Sequence, residues 1–296
     1  NSPQMEGCTP LRYPGGKSLM TPFFIDLMKI NGMKDVSYAE PFAGGAGTAI
    51  NLLMQDKVNR IFINDANVCI YSFWKYVIEE NKRFIDEIMK CSVDLDEWEL
   101  MHSLINDAKE PSFELGFATF FLSRTNRSGI LTAGPIGGRT EEKQAAAKYR
   151  IDCRFNKEDL VRRIVEIGKR SERIIVSNKD AIQFLNEIEG DDKLLYLDPP
   201  YYVKGKSLYL DFYNHKDHQE LANFLSCTTN FKWILSYDNV PAIRDMYKDF
   251  NLYEFTLNYT AQGVKQGSEL LTHSKGLNLP EQLEIRRKSR NIPLIK

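Results

Sequence analysis

Five runs of strand length, rich in apolar, β-branched or aromatic residues, fall at residues 36–39, 60–63, 174–177, 194–197 and 233–237. Several have a helical pattern close behind, at residues 48–55, 181–188, 218–226 and 241–248. Strand, helix, strand in that order predicts an α/β fold whose sheet is mostly parallel, because a crossover helix is what joins neighbouring parallel strands. Between Asn67 and Gly168 the strand signal vanishes. That interval reads as helices at 71–79, 82–89, 113–124 and 159–167 around a glycine-rich loop at 128–139. The expectation is a discontinuous sheet domain, residues 1–66 and 170–296, interrupted by a helical insertion, residues 67–169. Residues 270–296 are the one plausible loose end, and no repeat or low-complexity tract is present.

A chain of 296 residues, 43% hydrophobic, can bury a core of this size. The apolar run 115–122 ends at Ser123, far short of a bilayer span, so no membrane partner is expected. The opening residues lack an export signal, and Asn1 to Gln4 ahead of Met5 read as a remnant of cloning; both point to the cytoplasm. Five scattered cysteines with no CxxC pair read as reduced thiols. The net charge of -1 conceals an asymmetry: residues 75–114 carry five basic and eleven acidic side chains, whereas residues 115–154 carry seven and three. Arg286, Arg287, Lys288, Arg290 and Lys296 make the last twelve residues basic too. Local surfaces for a polyanion therefore exist.

Three segments carry chemistry. In the first, Leu194-Leu195-Tyr196-Leu197 delivers Asp198 to a strand's carboxyl end, where open α/β sheets bind ligands, and Pro199, Pro200 and Tyr201 follow. The prolines remove two donors and stiffen the chain, leaving carbonyls as acceptors. This suits a planar heterocycle with an exocyclic amine: Asp198 and the Pro199 carbonyl accept its two N–H groups and Tyr201 stacks on its ring. Fixed acceptors around such a nitrogen favour its tetrahedral transition state without a strong base, so Asp198 needs no raised pKa. A strand-ending Asp before a Pro-Pro turn with a packing Tyr fits equally.

In the second, a strand leads through Glu40-Pro41-Phe42-Ala43-Gly44-Gly45 into a helix, letting backbone approach a ligand. The third glycine of GxGxxG is replaced by Ile50, which weakens a dinucleotide reading, while Asp65 at the end of the next strand suits ribose hydroxyls. A tight turn with no ligand is the alternative. In the third, Arg12-Tyr13-Pro14-Gly15-Gly16-Lys17-Ser18 imitates a P-loop but has Leu11 where the first glycine belongs, and no strand precedes it. Either its glycines let Lys17 approach a carboxylate while Tyr13 flanks a flat ligand, or it is a basic surface turn. His215, Asp217 and His218 have a spacing that could hold a metal, but Asp217 reads better as a helix cap, and no metal is expected.

Taken in chain order, Arg12 to Lys17, Glu40 to Gly45, Asn64-Asp65, a helical insert and Asp198 to Tyr201 resemble the Dam-type (D12 class) family of DNA adenine methyltransferases, over residues 11–271. The resemblance implies a Rossmann-like sheet that uses S-adenosylmethionine, a helical target-recognition insertion, double-stranded DNA as partner and the 6-amino group of a flipped adenine as acceptor. It implies that Tyr13, Lys17, Glu40, Phe42, Gly44, Asp65, Asp180 and Asp198 serve the cofactor, with Lys17 near its methionine carboxylate, and that Asp198, Pro199, Pro200 and Tyr201 form the catalytic wall. Arg12, Arg124, Asn126, Arg127 and Tyr209 would face DNA, Tyr209 from a mobile loop at 205–214. The resemblance also leaves room for methylation of RNA or of a protein amide, and for a DNA-binding regulator that keeps the fold without turnover. The basic half of the insert favours duplex DNA as substrate, and extrusion of the base would cost a few kcal/mol, offset in part by Tyr201.

Overall fold

A computed structural model describes residues 7–188, 190–209, 212–227, 231–257, 267–285 and 290–296. The suspected remnant at the start and three of the basic residues near the end, Arg286, Arg287 and Lys288, lie outside them.

The chain runs α1 (Thr21–Ile30), β1 (Ser37–Glu40), α2 (Gly47–Met54), β2 (Ile61–Asn64), α3 (Val68–Glu79), α4 (Asn81–Lys90), α5 (Leu95–Asn106), α6 (Phe113–Thr125), α7 (Glu141–Ala146), α8 (Lys157–Gly168), β3 (Ile174–Ser177) and α9 (Ala181–Glu187). It continues with β4 (Lys193–Leu197), α10 (Gly205–Leu208), α11 (His215–Cys227), β5 (Lys232–Asp238), α12 (Pro241–Met246), β6 (Tyr253–Leu257), β7 (Gly267–His273), β8 (Gln282–Ile285) and β9 (Arg290–Pro293). Seven strands form one sheet in the order β3-β2-β1-β4-β5-β7-β6. The first five are parallel, and β7 lies antiparallel between β5 and β6. All five predicted strands are present. The antiparallel pair, β6 and β7, adds two strands to those five.

Both faces of the sheet are covered, and the strand period of two sorts side chains between them. Leu194, Tyr196 and Ile234 join one apolar cluster, while Leu195, Leu197, Trp233 and Leu235 join the other with α9, α11 and α12. The first cluster also contains Phe73, Trp74, Phe84, Trp98 and Phe120 from the helices between β2 and β3. The helical insertion and one face of the sheet thus share a continuous core. Its central helix, α6, is buried nearly all round, and it approaches α3 so closely that a Cβ on Gly116 would stand 2.6 Å from the Ser72 carbonyl oxygen. Helix α5, capped by Asp94, was missed because Leu100 and Leu104 put apolar side chains on its exposed face and blur the periodicity.

The expected loose end is largely tied down. Residues 270–273 complete β7, β8 pairs with β9, and Glu254 and Ile295 exchange backbone hydrogen bonds. Among the described residues, no helix is long and apolar enough to cross a membrane.

Candidate active site at the carboxyl ends of β1, β2 and β4

Strand order reverses between β1 and β4, and the crevice at such a switch point is where open sheets take ligands. A cavity of about 1240 Å³ opens there. It is larger than the roughly 300–1,000 Å³ of ordinary small-molecule pockets.

On its β1–β2 side the glycine turn is built for close approach. Gly44 has φ +50°, and a Cβ there would stand 2.5 Å from the Tyr13 ring. The Asp65 carboxylate accepts hydrogen bonds from the Gly44 amide (2.9 Å) and the Asn67 amide (2.9 Å), so the end of β2 fixes the loop after β1. From the insertion, the Trp74 indole N–H donates to the Gly44 carbonyl (2.9 Å). Glu40 is buried and accepts from the Tyr38 hydroxyl (2.7 Å) and the Ala49 amide (3.2 Å). Burial pushes its carboxyl up to about 8 despite the Tyr38 bond.

On the β4 side stands Asp198. Its side chain keeps 23% of its surface exposed, and one oxygen accepts from the Ser236 hydroxyl of β5 (3.0 Å). Lys17, only 4% exposed, donates to the Gly15 carbonyl (2.8 Å) and the Tyr201 hydroxyl (2.9 Å). Its ammonium lies 3.6 Å from Asp198 and 3.9 Å from Glu269 of β7. Tyr201 in turn donates to Glu269 (2.9 Å). Desolvation pushes the Asp198 carboxyl above its ordinary value, with Lys17 and Ser236 pulling the other way. Asp238, ending β5, accepts from the Tyr202 and Val203 amides and so anchors the chain just after the Pro-Pro turn.

The expected site residues converge to a large extent. Tyr13, Lys17, Glu40, Phe42 and Asp65 line the cavity, as do Asp198, Pro200 and Tyr201. Asp180 lines it from the start of α9, where its side chain also caps the helix at the Ile182 amide. Gly44 stands behind Tyr13 rather than on the wall, and Pro199 is not part of the lining. Tyr209 reaches in from the segment after α10, its hydroxyl 3.4 Å from the Pro14 carbonyl; Leu210 and Asp211 of the expected mobile loop lie outside the described residues.

Of the expected DNA contacts, Arg12 and Arg127 line the cavity, whereas two others are corrected. Asn126 is fully buried, accepting from the Trp98 indole (2.7 Å) and donating to the Ile130 and Leu131 carbonyls, so it braces the turn after α6 instead of facing a duplex. Arg124 spends its guanidinium on the Pro10 carbonyl (2.7 Å) and the Arg154 carbonyl (3.4 Å). Burial, with Arg163, Arg12 and Arg154 nearby, pushes its pKa down to about 9. Asn214 caps α11 by accepting from the Asp217 amide, and the Asp217 carboxylate, expected to be the cap, accepts from the Asn214 amide in return. Among the described residues no group of three or more His, Cys, Asp or Glu is placed to hold a metal. The sequence reading missed Glu269; its one signal is an acid set among the apolar residues of a strand.

Residues 13–261 match the D12 class N6 adenine-specific DNA methyltransferase family. The chain belongs to that family. It is a methyltransferase, and its methyl donor is S-adenosylmethionine. A search of curated proteins returns no match. Among solved structures the chain is similar to the rRNA methyltransferase aviRa from Streptomyces viridochromogenes, at 12% identity and a TM-score of 0.39, covering 88% of this chain and 86% of that one. It is also similar to a conserved hypothetical protein of Streptococcus pyogenes, at 10% identity and a TM-score of 0.32, covering 82% and 88%. The D12 assignment rests on the family match and not on these likenesses. The residues present fit the donor. The missing Cβ at Gly44 makes room for the Tyr13 ring, and Asp65 sets a carboxylate at the end of β2 where a ribose would be received.

Proposed function

We propose that this methyltransferase modifies the 6-amino group of an adenine extruded from duplex DNA in the cytoplasm. The observation that carries the reading is the placement of Asp198, a partly exposed carboxylate at the β4 end of a large cavity, with Tyr201 beside it and a Pro-Pro turn between them. Bound S-adenosylmethionine supplies an electrophilic methyl group on a sulfonium. Tyr13, Phe42, Asp65 and Asp180 hold the donor's nucleoside part against the glycine turn. On the β4 side, the Asp198 carboxylate and the Pro199 carbonyl accept the two N–H groups of the adenine amine, and Tyr201 packs on its ring. These acceptors are fixed before the base arrives, so they favour the positive charge that develops on nitrogen without having to reorganise. Asp198 orients the amine, and the proton lost after transfer needs no strong base.

The insertion, residues 67–169, is proposed to meet the duplex. Its turn at Arg127–Gly129 is pressed against the Arg12 segment, where a Cβ on Gly129 would come within 2.7 Å of the Arg12 carbonyl oxygen, and exposed Arg127 borders the cavity. A mouth lined by Arg12 and Arg127 suits phosphate contacts that position the nucleic acid.

Incubation of the full chain with S-adenosylmethionine and unmethylated duplex DNA, followed by digestion and mass spectrometry, is expected to yield N6-methyladenine. Methyl transfer to RNA or to a protein amide with none to DNA, or cofactor binding without transfer to any of them, would overturn the reading.

A further inference from the structure

Glu269 belongs to none of the sequence motifs, yet it sits at the centre of the charged cluster. It occupies the third position of β7, opposite Asp238 of β5 and Phe255 of β6, and is only 4% exposed. A carboxylate there is out of keeping with the neighbouring Leu270 and Leu271, which are core residues. One oxygen accepts from the Tyr201 hydroxyl and lies 3.9 Å from the Lys17 ammonium. The other is buried and has no hydrogen-bond partner among the described residues, and the residue is part of the cavity lining. Folding alone does not account for such an oxygen, because a buried, unsatisfied acceptor destabilises the native state. A glutamine would serve the Tyr201 hydroxyl as well, so what demands explanation is the charge.

We infer that Glu269 is a positioning residue for methyl transfer, which holds the Lys17 ammonium and the Tyr201 hydroxyl and through them sets the Asp198 carboxylate and the Tyr201 ring. The inference rests on the proposal that Asp198 and Tyr201 receive the target base. Lys17 stands between the two carboxylates, 3.6 Å from one and 3.9 Å from the other, so each limits how far the ammonium can be drawn to its partner. Tyr201 accepts from Lys17 and donates to Glu269, which fixes both the direction of its hydroxyl and the tilt of its ring. With the Glu269 charge gone, Lys17 closes onto Asp198, occupies the acceptor needed by the amine and frees the Tyr201 ring to turn. Among the described residues, the other charged group facing Glu269 is Asp238 of β5, which is engaged with the Tyr202 and Val203 amides.

The test is a double-mutant cycle in the full chain, combining Glu269→Gln with Lys17→Met and separately with Tyr201→Phe. Single-turnover methylation of duplex DNA and calorimetric cofactor affinity are measured for each variant. Glu269→Gln alone is expected to lower the transfer rate by about tenfold or more while changing cofactor affinity less than about threefold. In the Lys17→Met background the same change is expected to cost less than about twofold, since a residue that acts through another loses its effect when that other is gone. Glu269→Asp, which keeps the charge, is expected to recover part of the rate. An equal loss in both backgrounds, an unchanged rate in Glu269→Gln, or no recovery with Asp would overturn the inference. Should Glu269→Gln fail to fold by circular dichroism, the cycle is run with Glu269→Asp; failure of both to fold would make the residue structural and the inference wrong. If the unmodified protein methylates no adenine, it is the proposed function that falls.

Discussion

The core of the insertion and the carboxyl edge of the sheet are differently made. Around Phe84 the rings of Phe73, Phe113, Phe117 and Phe120 pack with centroids 5.4 to 5.6 Å away, close to the optimum for edge-on and tilted aromatic contact. At the sheet edge, Lys17, Glu40, Asp198 and Glu269 are drawn together where three of the four are almost inaccessible to water. The first arrangement is what stability alone would select. The second raises carboxyl pKa values and leaves an oxygen unpartnered, which a fold tolerates where chemistry requires it. The contrast teaches that in this protein the insertion holds the shape and the strand ends hold the strain.

Substitutions can break or sharpen that contrast. The largest effect is expected from Asp198→Ala, which should lower methylation by about 10²–10³-fold or more, as removal of a fixed transition-state group does, while cofactor affinity and thermal midpoint stay nearly unchanged. Lys17 then still has Glu269 beside it. Collapse of the fold in that variant would show the site to be a pillar after all. Phe84→Ala should do the reverse, costing about 3–5 kcal/mol in urea unfolding while any folded fraction keeps its turnover. Asn126→Ala comes next, at about 2–3 kcal/mol, because it strands the Trp98 N–H and two carbonyls. Intact stability with weakened DNA binding in that variant would return Asn126 to the duplex interface.

A pH-dependent effect concerns Glu40, whose carboxyl is pushed up to about 8 from an ordinary 4.5. Between those values the native state holds a proton that the unfolded chain releases, so stability falls as pH rises, by up to about 1.4 kcal/mol per unit. The decline ends above pH 8. Urea midpoints measured across that window should lose this slope in Glu40→Gln; identical slopes in both proteins would show the carboxyl to be ionised in the native state. The smallest effect belongs to Arg127→Ala: weaker duplex binding by about 1 kcal/mol and a salt dependence reduced by about one charge. An unaltered salt slope would detach Arg127 from the phosphates.

How much of this was legible in the chain follows from where the determinants lie. The parallel strands were visible because burial on both faces makes short continuous apolar runs such as 194–197. At Tyr253–Leu257, the edge strand β6, Glu254 and Thr256 alternate with Tyr253, Phe255 and Leu257, a period-two pattern that a search for continuous apolar runs passes over. The acid ending β4 could be read because a rigid Pro-Pro turn follows it immediately. Glu269 could not, since its meaning comes from Lys17, which is 252 positions away and is brought near only when β7 inserts beside β5. Asn126 looked like a surface residue beside Arg124 and Arg127. Its true partner, Trp98, is 28 residues upstream on a helix the pattern did not reveal.

The bond from Trp74 to the Gly44 carbonyl has a consequence for transplantation. Tyr13, Gly44 and Trp74 meet at one point, although the first precedes β1, the second follows it and the third lies in the insertion. Excising residues 67–169, or exchanging them for a foreign helical segment, would therefore remove a brace from the glycine turn as well as the surface proposed for DNA. A chimera built at those boundaries must carry an indole, or another donor of equal reach, in the first inserted helix, or the pocket proposed for the nucleoside will slacken before any question of sequence preference arises.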